Sequence, residues 1–147
     1  MSNLNDIAKV KHESLQINGE EWVVIDQITG DGLNTIATKL GSNTAEESWM
    51  PFIAIGDGLP SPSSEDKTLA SEIHRKRGTV TIINNTYFIE ADFGKDEPTA
   101  DCWIREVGIF DAASGGKMGA RWTLVDEVLK EFDVEVYIKI AISILIG

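Results

Sequence analysis

The sequence predicts a mainly β protein, an antiparallel β-sandwich or jelly-roll-like fold with one short helix. Three observations predict it. Apolar residues recur at every second position in several segments, most clearly from Phe132 to Ile146. Clusters of Gly, Pro, Asn and Ser break those segments at short spacing. The spacing of a helix face, i, i+3, i+4, i+7, is carried by Leu33, Ile36, Ala37 and Leu40.

The first residues are the least patterned. Ile7, Val10 and Leu15 fit no single stripe, so residues 3–16 read as irregular or weakly helical. Asn18-Gly19 is a two-residue hairpin turn, and Trp22-Val23-Val24-Ile25 beyond it is rich in β formers. Residues 1–28 therefore read as an N-terminal arm with a hairpin, ahead of a β-rich domain over 29–147. The whole is one domain, since a chain near this length buries roughly 68–70% of its unfolded surface.

Thr29-Gly30-Asp31-Gly32 punctuates the chain before the helix, and Gly41 stands where a helix-ending glycine belongs. Residues 42–48 are a polar linker. Trp49-Met50-Pro51-Phe52-Ile53-Ala54-Ile55 is a strand whose proline suits a beginning or an edge. Gly56-Asp57-Gly58 stops it, and Pro60 and Pro62 keep residues 59–66 irregular. Residues 68–73 suggest a single helical turn. His74-Arg75-Lys76-Arg77 is a basic cluster, Thr79 to Ile83 a strand, and Asn84-Asn85 a turn. Tyr87, Ile89, Ala91 and Phe93 then share one face, with Glu90 and Asp92 on the other. Residues 94–101 form an acidic loop.

Residues 103–111, the turn formers 112–117 and residues 118–124 read as strand, tight turn and strand. The rest of the chain can build a second sheet against this hairpin. Residues 126–131 read as a connector, a short helix or a loop. Phe132, Val134, Val136, Ile138, Ile140, Ile142, Ile144 and Ile146 then alternate without a break, which predicts a long strand with one face buried. At about 1.5–3 kcal/mol per buried aliphatic side chain, that strand is a main source of stability.

Charge narrows the function. Thirteen Lys and Arg against 24 Asp and Glu leave −11. Such a surface repels phosphate backbones and anionic bilayers, so neither nucleic acid nor membrane is an expected partner. Cys102 is the single cysteine, which excludes an intramolecular disulfide and a multi-cysteine zinc site. It reads as a small core or interface residue. The N-terminus carries neither the basic nor the apolar region of an export signal. No stretch reaches the roughly 20 apolar residues of a membrane span. The expectation is a soluble protein made in a cytoplasm.

Patterns that carry chemistry are few. Gly56-Asp57-Gly58 lacks the longer glycine spacing of a phosphate cradle and reads as a tight turn. Asp92-Phe93-Gly94 stands without the other kinase elements, and Gly115-Gly116-Lys117 has the wrong spacing for a phosphate-binding loop. His12 and His74 are the two histidines, and neither sits in a hydrolase or zinc motif. Asp96, Glu97 and Asp101 lack the ligand spacing of a calcium loop. No catalytic residue, metal or cofactor is expected.

Charges inside apolar strands call for partners, because an unpaired buried charge is costly. Arg105 and Glu106 are expected on opposite faces, with Arg105 meeting Glu72 or Glu106 meeting Arg75. The pairs would be structural. Trp22, Trp49, His74, Arg75 and Arg77 are candidate interface residues, tryptophan and arginine being common interface anchors. Trp103 and Trp122 are further candidates if exposed, although core positions are the plainer reading. The basic cluster could dock onto an acidic neighbour of the same kind and so build a head-to-tail ring.

Three segments then fall in a telling order. Ile53-Ala54-Ile55-Gly56-Asp57-Gly58 precedes a Pro/Ser loop. Leu69-Ala70-Ser71-Glu72-Ile73-His74-Arg75 follows, and then Trp103-Ile104-Arg105-Glu106-Val107-Gly108-Ile109-Phe110-Asp111. Together they resemble the N-terminal module of bacteriophage tail-collar or tail-fibre proteins, over about residues 29–125. The resemblance implies a non-enzymatic virion protein, assembled in the host cytoplasm. It would attach fibres to a tail, collar or baseplate by protein–protein contacts, as a homo-oligomer (trimer or ring). The first 28 residues do not match that pattern, and the expectation is the anchoring fold used alone, without the shaft and receptor-binding tip of such fibres. The alternatives are a capsid decoration or head-fibre protein, with residues 1–16 as an arm that orders on binding, and a small cytoplasmic ligand-binding protein or enzyme.

Overall fold

The computed structural model describes residues 8–22, 24–41, 49–84 and 86–146. Among the described residues, ten strands and one helix follow in order: β1 (Ala8–Ile17), β2 (Glu20–Glu21), β3 (Val24–Ile28), α1 (Gly30–Gly41), β4 (Phe52–Gly56), β5 (Glu72–Arg77), β6 (Thr79–Ile83), β7 (Thr86–Phe93), β8 (Cys102–Phe110), β9 (Met118–Lys130) and β10 (Val136–Ile146). They form two five-stranded sheets, β2-β1-β10-β7-β6 and β3-β9-β8-β4-β5. Every pairing is antiparallel. The inner faces share one core, in which Leu15, Ile89, Phe93, Ile138 and Ile140 of the first sheet meet Ile53, Ile55, Ile104, Val107 and Trp122 of the second. The expected β-sandwich with one helix is the observed fold.

Several elements stand where the sequence places them. Asn18 and Gly19 have φ of 53° and 83°, the two left-handed positions of a hairpin turn, and Ile17 pairs with Glu20 around them. On β7, Tyr87, Ile89, Ala91 and Phe93 are buried as a set. Helix α1 starts on a cap: the Thr29 hydroxyl accepts the Gly32 N–H at 2.9 Å and donates to the Met118 carbonyl. The side chains of Leu33, Ala37 and Leu40, the 42–48 linker, Val23, Asn85 and residues 1–7 lie outside the described residues.

Other elements differ, each for a physical reason. Residues 8–17 are strand, not irregular chain: β1 lies against β10 as an inner strand of its sheet. Its register shifts between Val10 and His12, which puts Val10 opposite Ile144 and Leu15 opposite Ile140 in the ladder despite their odd spacing. The boundary at residue 28 consequently separates no units, because β1 and β2 join one sheet and β3 the other. Residues 72–77 are strand β5, where the sequence suggested a helical turn for 68–73. Strand β9 runs to Lys130, so 126–130 are strand and not a connector. Its ladder to β8 jumps from Glu106–Thr123 to Ile104–Val128, leaving four residues against Arg105 alone. That bulge erases the alternation that would have marked the strand. Finally, β10 begins at Val136, and Phe132 and Val134 are exposed in the preceding turn.

Strands β5 and β6 are consecutive in the chain but belong to different sheets, each as its outermost strand. Gly78 joins them. A side chain there would run into Ile89 and the Glu90 carbonyl, so the crossing at this side of the sandwich is open only to glycine.

Candidate functional site

The chemistry of the molecule concentrates on the outer face of β8 and β9, beneath the 57–71 loop. The bulge at Arg105 turns Glu106, Gly108 and Phe110 outward while Ile104, Val107 and Ile109 stay in the core. Phe110 packs there with Phe52, Ala54, Leu69 and Met118 in a second, smaller apolar cluster. Leu69 comes from the loop, so this cluster is what the loop folds onto.

Glu106 is fully buried in this layer (0% exposed). One carboxylate oxygen accepts the Ala70 N–H at 2.9 Å and Arg121 Nε at 2.9 Å. The other accepts the Gly58 N–H at 2.8 Å and the Ser71 N–H at 2.7 Å. Four donors occupy the roughly four acceptor positions of a carboxylate. Arg121 is 2% exposed and extends the link to Asp66 at 3.2 Å. Its second terminal nitrogen is buried without a hydrogen-bond partner. The loop is therefore held at both ends and in its middle by one carboxylate–guanidinium pair. Glycine is required at 58, where a Cβ would collide with Glu106 and Ala70.

The neighbouring hairpin is held the same way. Arg75 on β5 lies with its guanidinium 3.5 Å above the Phe110 ring centre. It pairs with Glu72 at 2.6 Å and donates to the carbonyls of Ala112 and Gly115, both at 2.8 Å, so it clamps the 111–117 turn. Asp111 closes that turn from inside by accepting the Lys117 N–H at 2.7 Å.

The expected ion pairs are thus corrected. Arg105 and Glu106 do take different environments, but Arg105 pairs with Glu127 at 2.5 Å, not with Glu72. Glu106 pairs with Arg121, not with Arg75, which pairs with Glu72. The reason is register: Arg121 stands opposite Gly108, two residues from Glu106 along β8, so it lies diagonally across from the carboxylate. Sequence reasoning missed Arg121, Asp66, Glu127 and Lys130. The signal was available for Arg121, an arginine inside the apolar run Met118-Gly119-Ala120-Arg121-Trp122. Lys130 is buried with its ammonium donating to the carbonyls of Gly94, Glu131 and Val134, which pins two loops at one end of the sandwich.

The candidate interface residues are mostly occupied. Trp22 and Trp49 are half-buried against the core. Trp49 donates to the Thr35 hydroxyl at 2.7 Å and meets Tyr87 edge-on at 5.6 Å. Trp122 is core, and Trp103 is partly exposed as the cross-strand partner of Leu129. His74 lies 3.8 Å from Glu97. Lys76 bonds Glu97 at 2.9 Å, and that bond chiefly holds the Glu97 carboxyl below the usual range. The Arg77 guanidinium stacks on Phe52 at 4.7 Å. The basic cluster is therefore largely engaged within its own chain.

Other titratable groups answer to burial. It raises Tyr87 to about 12, and the hydroxyl donates to the Met50 carbonyl at 2.9 Å. Tyr137 is raised to about 12 by desolvation and by its hydrogen bond to Glu90. Burial also raises Cys102. A shallow hollow of about 300 Å³ lies on the outer face of the first sheet, lined by Ser14, Gln16, Thr86, Phe88, Lys139 and Ser143 among others. Among the described residues, no group of three or more His, Cys, Asp or Glu could hold a metal ion, and no helix is long and apolar enough to cross a membrane.

These features define a β-sandwich whose charged outer layer works as a fastening. No family model, curated protein or solved structure matches the chain.

Proposed function

We propose that this protein is a non-enzymatic assembly module, a bacteriophage virion part that joins a tail, collar or baseplate to fibres by protein–protein contacts. One observation carries the reading. The three segments behind the tail-collar resemblance, separated by up to about 50 residues in sequence, converge on Glu106. The first brings the Gly58 N–H, the second the Ala70 and Ser71 N–H groups, and the third the carboxylate itself. Four further charged residues of the pattern, Glu72, Arg75, Arg105 and Asp111, hold strands and turns. Residues that would be free for chemistry in an enzyme are here committed to rigidity, which suits a part that transmits force between neighbours.

Gold-labelled antibody against the protein, applied to purified particles of the phage that encodes it, tests the reading. The expected label sits at the tail end or neck. A label over the capsid would favour the decoration alternative. Particles without the protein, with all of it in the soluble lysate, would overturn both.

A further inference from the structure

We infer that two copies of this chain join through strand β6, edge to edge and antiparallel, so that the sheets β2-β1-β10-β7-β6 of the two copies become one continuous ten-stranded sheet. The inference stands on the edge itself and does not depend on where the protein acts.

Among the described residues, strand β6 is the last strand of its sheet, and one side of its backbone has no partner strand there. Its sequence, Thr79-Val80-Thr81-Ile82-Ile83, carries no charge and no proline, in a chain that is 25% charged. Such an edge lacks the devices that ordinarily prevent pairing with another strand. Two of its three apolar side chains, Ile82 and Ile83, are also uncovered. Val80 packs against the core. Ile82 lies two residues on, opposite the buried Tyr87, yet it is 68% exposed, and Ile83 is 56% exposed. The sandwich is open at this point.

The adjoining edge shows the contrast. β5, one glycine away, reads Glu72-Ile73-His74-Arg75-Lys76-Arg77 and is guarded by charge. The chemistry of β6 selects a second copy as its occupant. The chain as a whole carries 11 excess negative charges. The five residues of β6 carry none, so two copies meet at this edge without setting like charges opposite each other. An antiparallel pair centred on Thr81 uses all five residues. It sets Val80 beside Ile82 of the second copy and Ile82 beside its Val80, so that each uncovered isoleucine gains a β-branched cross-strand neighbour. A two-fold axis through Thr81 makes the contact self-complementary and closed.

Sedimentation equilibrium from low to high micromolar concentration tests this. The wild-type chain is expected to reach twice the chain mass. Ile82→Lys, which places a charge on the exposed edge, is expected to stay at the single-chain mass with unchanged circular dichroism. In a Cys102→Ser background, Thr81→Cys is expected to form a disulfide-linked dimer on mild oxidation, well ahead of Lys95→Cys, an exposed position far from the axis in sequence. A wild-type chain that stays single at the highest concentration would overturn the pairing, as would an Ile82→Lys variant of wild-type mass. Cross-linking no better at residue 81 than at residue 95 would equally overturn it.

Discussion

The outer face of β8 and the free edge of β6 expose opposite chemistry to the same problem. Both are places where a sheet meets something other than its own layers. At β8 the chain supplies a carboxylate and an arginine, covers them with its own loop and satisfies the carboxylate with four donors. At β6 it supplies threonine, valine and isoleucine, and leaves them open. The difference teaches where to look for function here. Charge in the outer layer marks what is already closed, and the uncharged edge marks what is still available.

The largest expected effect falls on the closed region. Glu106→Gln keeps the size of the side chain, but its amide presents hydrogens to groups that are themselves donors, and Arg121 keeps only the partly exposed Asp66 as counter-charge. Breaking a buried pair from one side costs about 3–5 kcal/mol, which urea unfolding would read directly. A loss below about 1 kcal/mol would mean that the pair does not close the loop. Gly58→Ala is the next test. Its Cβ meets Glu106 and Ala70, and overpacking of this kind costs about 1–3 kcal/mol. Faster proteolytic cutting within residues 59–66 should accompany it.

Tyr87 sharpens the comparison from the other side, since it pairs with Ile82 and yet is tied down. Tyr87→Phe removes the partner of both the Met50 carbonyl and the Met50 N–H, at a cost of about 1–3 kcal/mol. Burial raises the phenol to about 12 in the folded protein, so the unfolded chain ionises first. Its stabilising contribution is whole below an unfolded pKa near 10 and falls as pH rises toward 12. Alkaline melting curves should show part of that fall disappearing in the Tyr87→Phe variant. Ile82→Lys gives the smallest effect on the stability of the single chain, within about 0.5 kcal/mol when measured at concentrations too low for pairing, because in one copy the side chain is 68% exposed.

Much of the fold was legible because alternation is a local signal. Tyr87 to Phe93 and Val136 to Ile142 bury every second residue, and Asn18-Gly19 turns as its letters require. What stayed hidden was broken by bulges. The register shift after Val10 concealed β1, and the four residues opposite Arg105 concealed the second half of β9. In the site, the need of Glu106 for a partner could be read from its place in an apolar strand. The choice of Arg121 could not, because it depends on which residue lies beside Gly108 across two strands. Three backbone N–H groups from a loop leave no trace in side-chain identity at all. The openness of β6 is likewise a property of sheet order, since Thr79 to Ile83 would read the same in the middle of a sheet.

Amide hydrogen exchange at Gly58, Ala70 and Ser71 tests the central claim most directly. These are loop amides with the Glu106 carboxylate as their acceptor. If the carboxylate fastens three segments into one unit, they exchange as slowly as the amides of β8 and become fast together in Glu106→Gln. Exchange at the rate of the exposed loop residue Glu65, with no change on substitution, would contradict it.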